Sequence, residues 1–236
     1  MSAPSTSAKQ EQPDLRAGTF QGWTFKILRA VLLGMSRVLF RMRIRGLENV
    51  PPDGPLIVVG NHLHNVDPLL ISVAIPRPVH YMAKKELFAI PIIRRIIKFG
   101  GAFPVDRGTA DRNAIRIADL TLKQGLAVGM FPEGTRSKSQ ALKVALPGAA
   151  AIAQLTAAPI LPVAITGSER LFRKSVKIVV GQPFTIPSRT PDGQKIGRDD
   201  ATNRLMAEIA KLLPPEYRGI YAGLVTDEPL ETIQDR

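Results

Sequence analysis

Residues 56–68 read LIVVGNHLHNVDP, and the architecture turns on how that run is divided. Leu56, Ile57, Val58 and Val59 carry no polar alternation, which predicts a strand buried on both faces. The turn Pro51-Pro52-Asp53-Gly54 precedes it. Asp67 followed by Pro68 predicts a helix start, with Asp as N-cap and Pro at the first helical position, running on through 69–75. His62 is thereby delivered into a loop at the carboxyl end of a strand and beside a helix N-terminus, where α/β proteins commonly place their sites.

Working outward, residues 41–46 alternate as a short strand, and 101–107 form another that ends in Arg107. Residues 87–99 suit an apolar and basic helix interrupted at Pro91, and 111–124 a helix closed by Gly125. Buried strands are expected at 127–131 and 159–165, separated by the loop 132–137 and an Ala-rich helix over about 148–156. A strand at 176–180, a loop at 183–197 and a helix at 201–213 complete the pattern. Strands alternating with helices predict an α/β fold with a central, mostly parallel or mixed sheet flanked by helices. Residues 1–20 are polar and small, as in a disordered tail without the apolar core of a secretory signal. The expected organisation is that tail, an amphipathic helix at 21–42, a main domain at 43–213 and a C-terminal extension at 214–236.

The 236 residues, 44% hydrophobic and 22% charged, can bury a sizeable core without covalent staples. No cysteine is present, which excludes disulfides, thiolate metal sites and a Cys nucleophile, and three histidines make a His-rich metal site unexpected. The net charge of +12 is concentrated early: residues 1–160 hold 21 of the 32 basic side chains and 10 of the 20 acidic ones. So basic a chain points to an anionic partner, which composition leaves open among nucleic acid, phospholipid head groups and a phosphorylated substrate. No Arg-rich recognition helix or aromatic stacking pattern favours nucleic acid, with aromatics at 6%. Over residues 23–40, Leu28, Val31, Leu32, Met35, Val38 and Leu39 gather on one side of a helix and Lys26, Arg29, Arg37 and Arg41 on the other. The uncharged run between Arg29 and Arg37 is seven residues, against roughly 20 for a bilayer span. The pattern suits a helix lying in a membrane interface and equally a helix packed on its own domain.

Three constellations have chemical content. A neutral His62 imidazole can take a proton from a hydroxyl, with the Asp67 carboxylate fixing its tautomer. Within one continuous helix these residues would stand about 140° apart, so they meet only if His62 lies in the loop and Asp67 opens the helix. An isolated pair of this spacing more often means a capping Asp and a polar loop residue, and His64 is a rival base. The second constellation is Phe131-Pro132-Glu133-Gly134-Thr135-Arg136-Ser137, directly after a buried strand. Gly134 permits close backbone approach, and Arg136 with the hydroxyls of Thr135 and Ser137 makes a phosphate cradle, or else a surface turn in which Glu133 pairs with Arg136. The third is Arg107, a second candidate phosphate contact, although a lone Arg at a strand end is usually only solvated.

In this order the segments resemble the 1-acylglycerol-3-phosphate acyltransferase family, part of the wider glycerolipid acyltransferases. Asn61-His62 with Asp67 matches its N-H-x-x-x-x-D motif, and 101–107 a second motif ending in Arg. Residues 131–137 match the third in full, and Pro159-Ile160-Leu161-Pro162-Val163 the Pro-containing fourth. Residues 83–88 also look like the family, and the likeness covers about 41–182. The chain departs from it at His64, where Ser is common, and at Leu146-Pro147, where many members carry Lys.

The resemblance implies acyl transfer from acyl-CoA or acyl carrier protein to the free hydroxyl of lysophosphatidate, forming phosphatidic acid in phospholipid synthesis. His62 would be the general base and Asp67 its orienter. Arg107, Thr135 and Arg136 would hold the acceptor's phosphate, with Glu133 and Gly134 shaping and completing that subsite. Neither a metal nor a cofactor beyond the acyl carrier is implied, and direct attack on a thioester agrees with the absence of cysteine. Another lysophospholipid or glycerol-3-phosphate as acceptor, or a non-catalytic lipid-binding protein on this scaffold, are the alternatives. A bilayer-borne substrate favours the interfacial reading of the first helix and a peripheral location on the cytoplasmic face of a membrane. Lys84, Lys85, Arg94, Arg95 and Lys98 among apolar neighbours would offer a second contact.

Overall fold

The computed structural model describes residues 22–91, 94, 97, 102–105, 112–172 and 175–225. Arg107, the expected N-terminal tail and six of the thirteen residues of the helix expected at 87–99 lie outside these residues; Lys85–Ala89 form a 3-10 turn, and Pro91, Arg94 and Ile97 are helical. Seven strands form one sheet: β1 Arg43–Arg45, β2 Leu56–Gly60, β3 Val79–Lys84, β4 Phe103–Val105, β5 Ala127–Met130, β6 Ile160–Thr166 and β7 Lys177–Val180, in the order β1-β7-β6-β2-β5-β3-β4. All neighbouring pairs are parallel except β6 with β7. Five α-helices have both ends among the described residues: α1 Gly22–Leu39, α2 Asp67–Ala74, α3 Arg112–Lys123, α4 Gly148–Thr156 and α5 Arg198–Lys211. The mixed sheet with flanking helices is the architecture expected from the alternating pattern.

The uninterrupted apolar run of β2 has a direct cause. Leu56 and Val58 point to one face of the sheet, into a core built with α2 and the inner side of α1. Ile57 and Val59 point to the other, into a core shared with α3, α4 and α5. With no face toward water, every position must be apolar, and each such buried side chain contributes roughly 1.5–3 kcal/mol. The strand at β3 has no counterpart among the strands expected from the sequence. His80 and Tyr81 interrupt the hydrophobic pattern there, yet both are buried. Tyr81 fits because β5 offers Gly129 opposite it: a Cβ at that glycine would stand 2.5 Å from the Tyr81 ring.

Helix α1 corrects one expectation. Arg29, placed by periodicity on the polar face, turns toward the domain and donates from Nη2 to the Ala74 carbonyl (2.6 Å) and from Nε to that of Ile75 (3.0 Å). These carbonyls end α2, where the backbone has no intrahelical donors and a cation is favoured. Leu32, Leu33 and Phe40 pack on the core beside it. Trp23, Ile27, Val31, Met35 and Val38 then run along the outside, with Trp23 73% and Val38 79% exposed.

At the amino ends of the central strands, buried Arg77 donates to the carbonyls of Pro51 (3.1 Å), Gly54 (2.6 Å) and Gly125 (3.0 Å). It thus joins the turn before β2 to the turn before β5. Replacing it with Met leaves the carbonyls without their charged donor, and the expected loss of stability is about 2–4 kcal/mol in denaturant unfolding. A loss under half a kilocalorie per mole would show that water replaces the guanidinium.

Candidate active site

Strands β2 and β5 are adjacent and parallel, so their carboxyl ends release loops 61–66 and 131–137 side by side. Asn61 anchors the first loop. Its side chain extends the ladder to β6, donating from Nδ2 to the Ile165 carbonyl and accepting the Ile165 N–H at Oδ1, both at 2.8 Å.

Helix α2 begins at Asp67 with Pro68 behind it, but Val66 occupies the N-cap position and no side chain caps the helix. The Asp67 carboxylate turns back to the loop instead. Oδ2 accepts the N–H of Leu63 (2.7 Å), the N–H of His64 (2.6 Å) and His62 Nδ1 (2.9 Å). Oδ1 is buried and has no hydrogen-bond partner among the described residues. The carboxylate therefore determines both the loop's path and the tautomer of His62: Nδ1 carries the proton that Asp67 accepts, and Nε2 is left to receive one. Behind the imidazole lies Phe131, stacked at 4.2 Å between centroids and 21° between planes, and Tyr81 stacks on Phe131 at 5.7 Å and 20°.

The second loop is joined to the first by Glu133. Its Oε1 accepts the N–H of His62 (2.9 Å) and its Oε2 that of Lys143 (3.3 Å), while the Ser137 N–H donates to the His62 carbonyl (2.8 Å). Glu133 is buried, and both oxygens are occupied by backbone. From the sequence it is expected both in the phosphate subsite and in shaping the loop, and the contacts it makes here join the two loops through backbone N–H groups. Gly134 takes a left-handed backbone (φ 70°), and a Cβ there would meet Leu146 Cδ1 at 2.7 Å. Thr135 and Arg136 stand exposed on the loop, and the Thr135 hydroxyl accepts from Lys143 Nζ. His64 sits half-buried on the first loop, its Nδ1 taking the Val66 N–H at 3.4 Å.

The structure thus brings together His62, Asp67, Glu133, Gly134, Thr135 and Arg136. Sequence reasoning assigned no role to Lys143 or to the aromatic column. Phe131 was legible as a motif letter; nothing in the spacing shows that it lies under the histidine.

A family model described as acyltransferase matches residues 41–166. Among curated relatives, the 1-acyl-sn-glycerol-3-phosphate acyltransferase of Bacillus subtilis is 38% identical over 149 residues, 61% of this chain and 73% of that protein. The protein of the same name from Borreliella burgdorferi is 30% identical over 139 residues, and the chain spans 54% of it, about half its length. The crystal structure of the 1-acyl-sn-glycerophosphate acyltransferase PlsC from Thermotoga maritima matches with a TM-score of 0.59 at 25% identity, over 79% of this chain and 82% of that one.

Burial, more than any other influence, pushes the Glu133 carboxyl from its ordinary value of 4.5 up to about 7, against the backbone N–H bonds and the nearby Lys143, which pull it down. Between these values the folded chain holds a proton that the unfolded chain has released, so this group's contribution to stability falls as pH rises from about 4.5 to about 7. Glu133→Gln cannot ionise and removes that contribution. Denaturant unfolding across this window should show a shallower decline for the variant; identical slopes for the two proteins would contradict the assignment.

Proposed function

The chain belongs to the acyltransferase family, and from that premise we propose that it transfers an acyl group from a thioester, acyl-CoA or acyl carrier protein, to the free hydroxyl of 1-acylglycerol-3-phosphate, yielding phosphatidic acid. The observation that carries the reading is the His62 Nδ1 to Asp67 Oδ2 contact at 2.9 Å, on a loop tied through Glu133 to the one bearing Thr135 and Arg136. The curated relatives carry this activity in their names.

In the proposed step, His62 Nε2 takes the acceptor's hydroxyl proton as the oxygen attacks the thioester carbonyl. Asp67 keeps Nδ1 protonated and stabilises the imidazolium that forms. Collapse of the tetrahedral intermediate breaks the C–S bond, and the proton passes from His62 to the departing thiolate. The ester bond gained and the thioester bond lost balance without an acyl-enzyme, so the reaction uses no cofactor other than the acyl carrier. Arg136, with Arg107 from the second motif, is assigned to the acceptor's phosphate, which a guanidinium can grip through two oxygens.

His62→Ala should lower kcat by about 10²–10⁴-fold in an acyl-transfer assay with lysophosphatidate. Asp67→Asn should lower it too, since the amide cannot serve as a charged acceptor for three donors. Transfer by His62→Ala at the wild-type rate would end the proposed mechanism.

The proposed location is peripheral, on the cytoplasmic side of the membrane that holds these lipids, and the outer face of α1 supports the attachment itself. No helix among the described residues is long and apolar enough to cross a bilayer. The apolar stripe from Trp23 to Val38 has Lys26, Arg37 and Arg41 exposed along or beside the helix, a combination suited to an anionic lipid interface. Val31→Glu with Met35→Glu, both at exposed positions, should leave folding intact by circular dichroism and reduce co-sedimentation with phosphatidylglycerol vesicles at least about tenfold. Undiminished sedimentation would remove α1 from the membrane contact.

A further inference from the structure

Lys143 lies in the irregular stretch between the second loop and α4, and its backbone is held from two sides. On one side its N–H donates to Glu133 Oε2 (3.3 Å), the carboxylate that also holds the His62 N–H. On the other, the C-terminal turns at 215–217 and 219–224 act as a strap. The Leu142 N–H donates to the Tyr217 carbonyl (2.8 Å), the Ile220 N–H to the Leu142 carbonyl (3.4 Å), and the Ala145 N–H to the Tyr221 hydroxyl (3.0 Å). Gly219 permits this closeness, since a Cβ there would lie 2.0 Å from the Leu142 carbonyl oxygen. From this fixed base the side chain returns to the second loop, where Nζ donates to the Thr135 hydroxyl.

That arrangement is chemically directional. An ammonium has three N–H donors, and among the described residues the hydrogen-bond partner of this one is a neutral hydroxyl. Thr135 Oγ1, accepting from Nζ, has its own O–H left to donate outward. Two donors side by side, one cationic, with the exposed guanidinium of Arg136 on the next residue, complement the oxygens of an anion. Glu133 does not compete for them, because it is buried and both its oxygens accept backbone N–H groups.

We propose that Lys143, with Thr135, is a ligand for a substrate phosphate group. The identity of that phosphate rests on the acyltransferase reading: it is the phosphomonoester of the lysophosphatidate acceptor or a phosphate of the acyl carrier. In the acceptor the phosphate and the reacting hydroxyl sit on adjacent carbons, so its ligands must lie close to the general base. Glu133 sets that proximity by holding the His62 and Lys143 backbones on one carboxylate.

Lys143→Met tests this, because it removes the ammonium and keeps the backbone N–H that Glu133 needs; Lys143→Arg serves as the charge-retaining rescue. With lysophosphatidate as varied substrate, Lys143→Met should raise KM about tenfold with kcat little changed, and Lys143→Arg should recover most of it. A rise confined to the thioester's KM upholds the ligand and assigns the carrier's phosphate as its source. Unchanged KM for both substrates overturns the proposal. Thermal shift with glycerol 3-phosphate, against glycerol as control, is independent of turnover and separates this inference from the acyltransferase reading. If wild type transfers no acyl group, that reading fails, and the inference stands on a phosphate-dependent rise in Tm present in wild type and absent in Lys143→Met. With coenzyme A as the second phosphate ligand, equal shifts in the two proteins, or none with either ligand, refute it.

Discussion

A single buried carboxylate holds the two halves of the candidate site together. Glu133 has one oxygen on the backbone of the loop after β2 and the other on the stretch leading to α4. Burying a carboxyl is costly unless its oxygens are satisfied, and here the satisfying groups are main-chain N–H donors that no substitution except proline removes. The contact fixes where His62 begins relative to Thr135 and Arg136. At the opposite end of the sheet Arg77 does the corresponding work, joining the turns that precede β2 and β5. The two central strands are thus pinned at their amino ends by a buried cation and at their carboxyl ends by a buried acid.

The fold was legible wherever burial leaves a periodic trace. The apolar run 56–59, the strand ending at Met130, the helix over Gly148–Thr156 and the strand through Ile165 all stand where the sequence predicts them. Strand β3 was not legible because His80 and Tyr81 look polar in sequence, and only the space above Gly129 explains how Tyr81 is buried. Arg29 was misplaced for a related reason. Periodicity assigns a charged residue to the solvent face, whereas the carbonyls ending α2 make a better partner than water.

The site was legible in its residue types and opaque in their division of labour. That His62 and Asp67 meet followed from a loop histidine and a helix-opening aspartate, and they do meet. The Asp-Pro signal was right about where the helix starts and wrong about the use of the carboxylate, which organises the preceding loop and caps nothing. Glu133 and Arg136 looked like a possible ion pair from their spacing; instead one is buried and the other exposed. The residues hardest to foresee, Lys143 and Tyr221, act through contacts fixed by the tertiary fold: Lys143 across the loop to Thr135, and Tyr221 across 76 positions to Ala145.

The column of rings behind the histidine also constrains how this sequence can change. Tyr81 fills the space that the missing side chain of Gly129 leaves, Phe131 stacks on Tyr81, and His62 stacks on Phe131. A methyl group at position 129 collides with the Tyr81 ring, and a smaller residue at 81 opens a void beneath Phe131, so neither position can drift alone. The pair is epistatic: it evolves by compensated exchange or stays as it is. The histidine whose Nδ1 meets Asp67 therefore inherits its orientation partly from a glycine on a neighbouring strand, out of reach of any substrate.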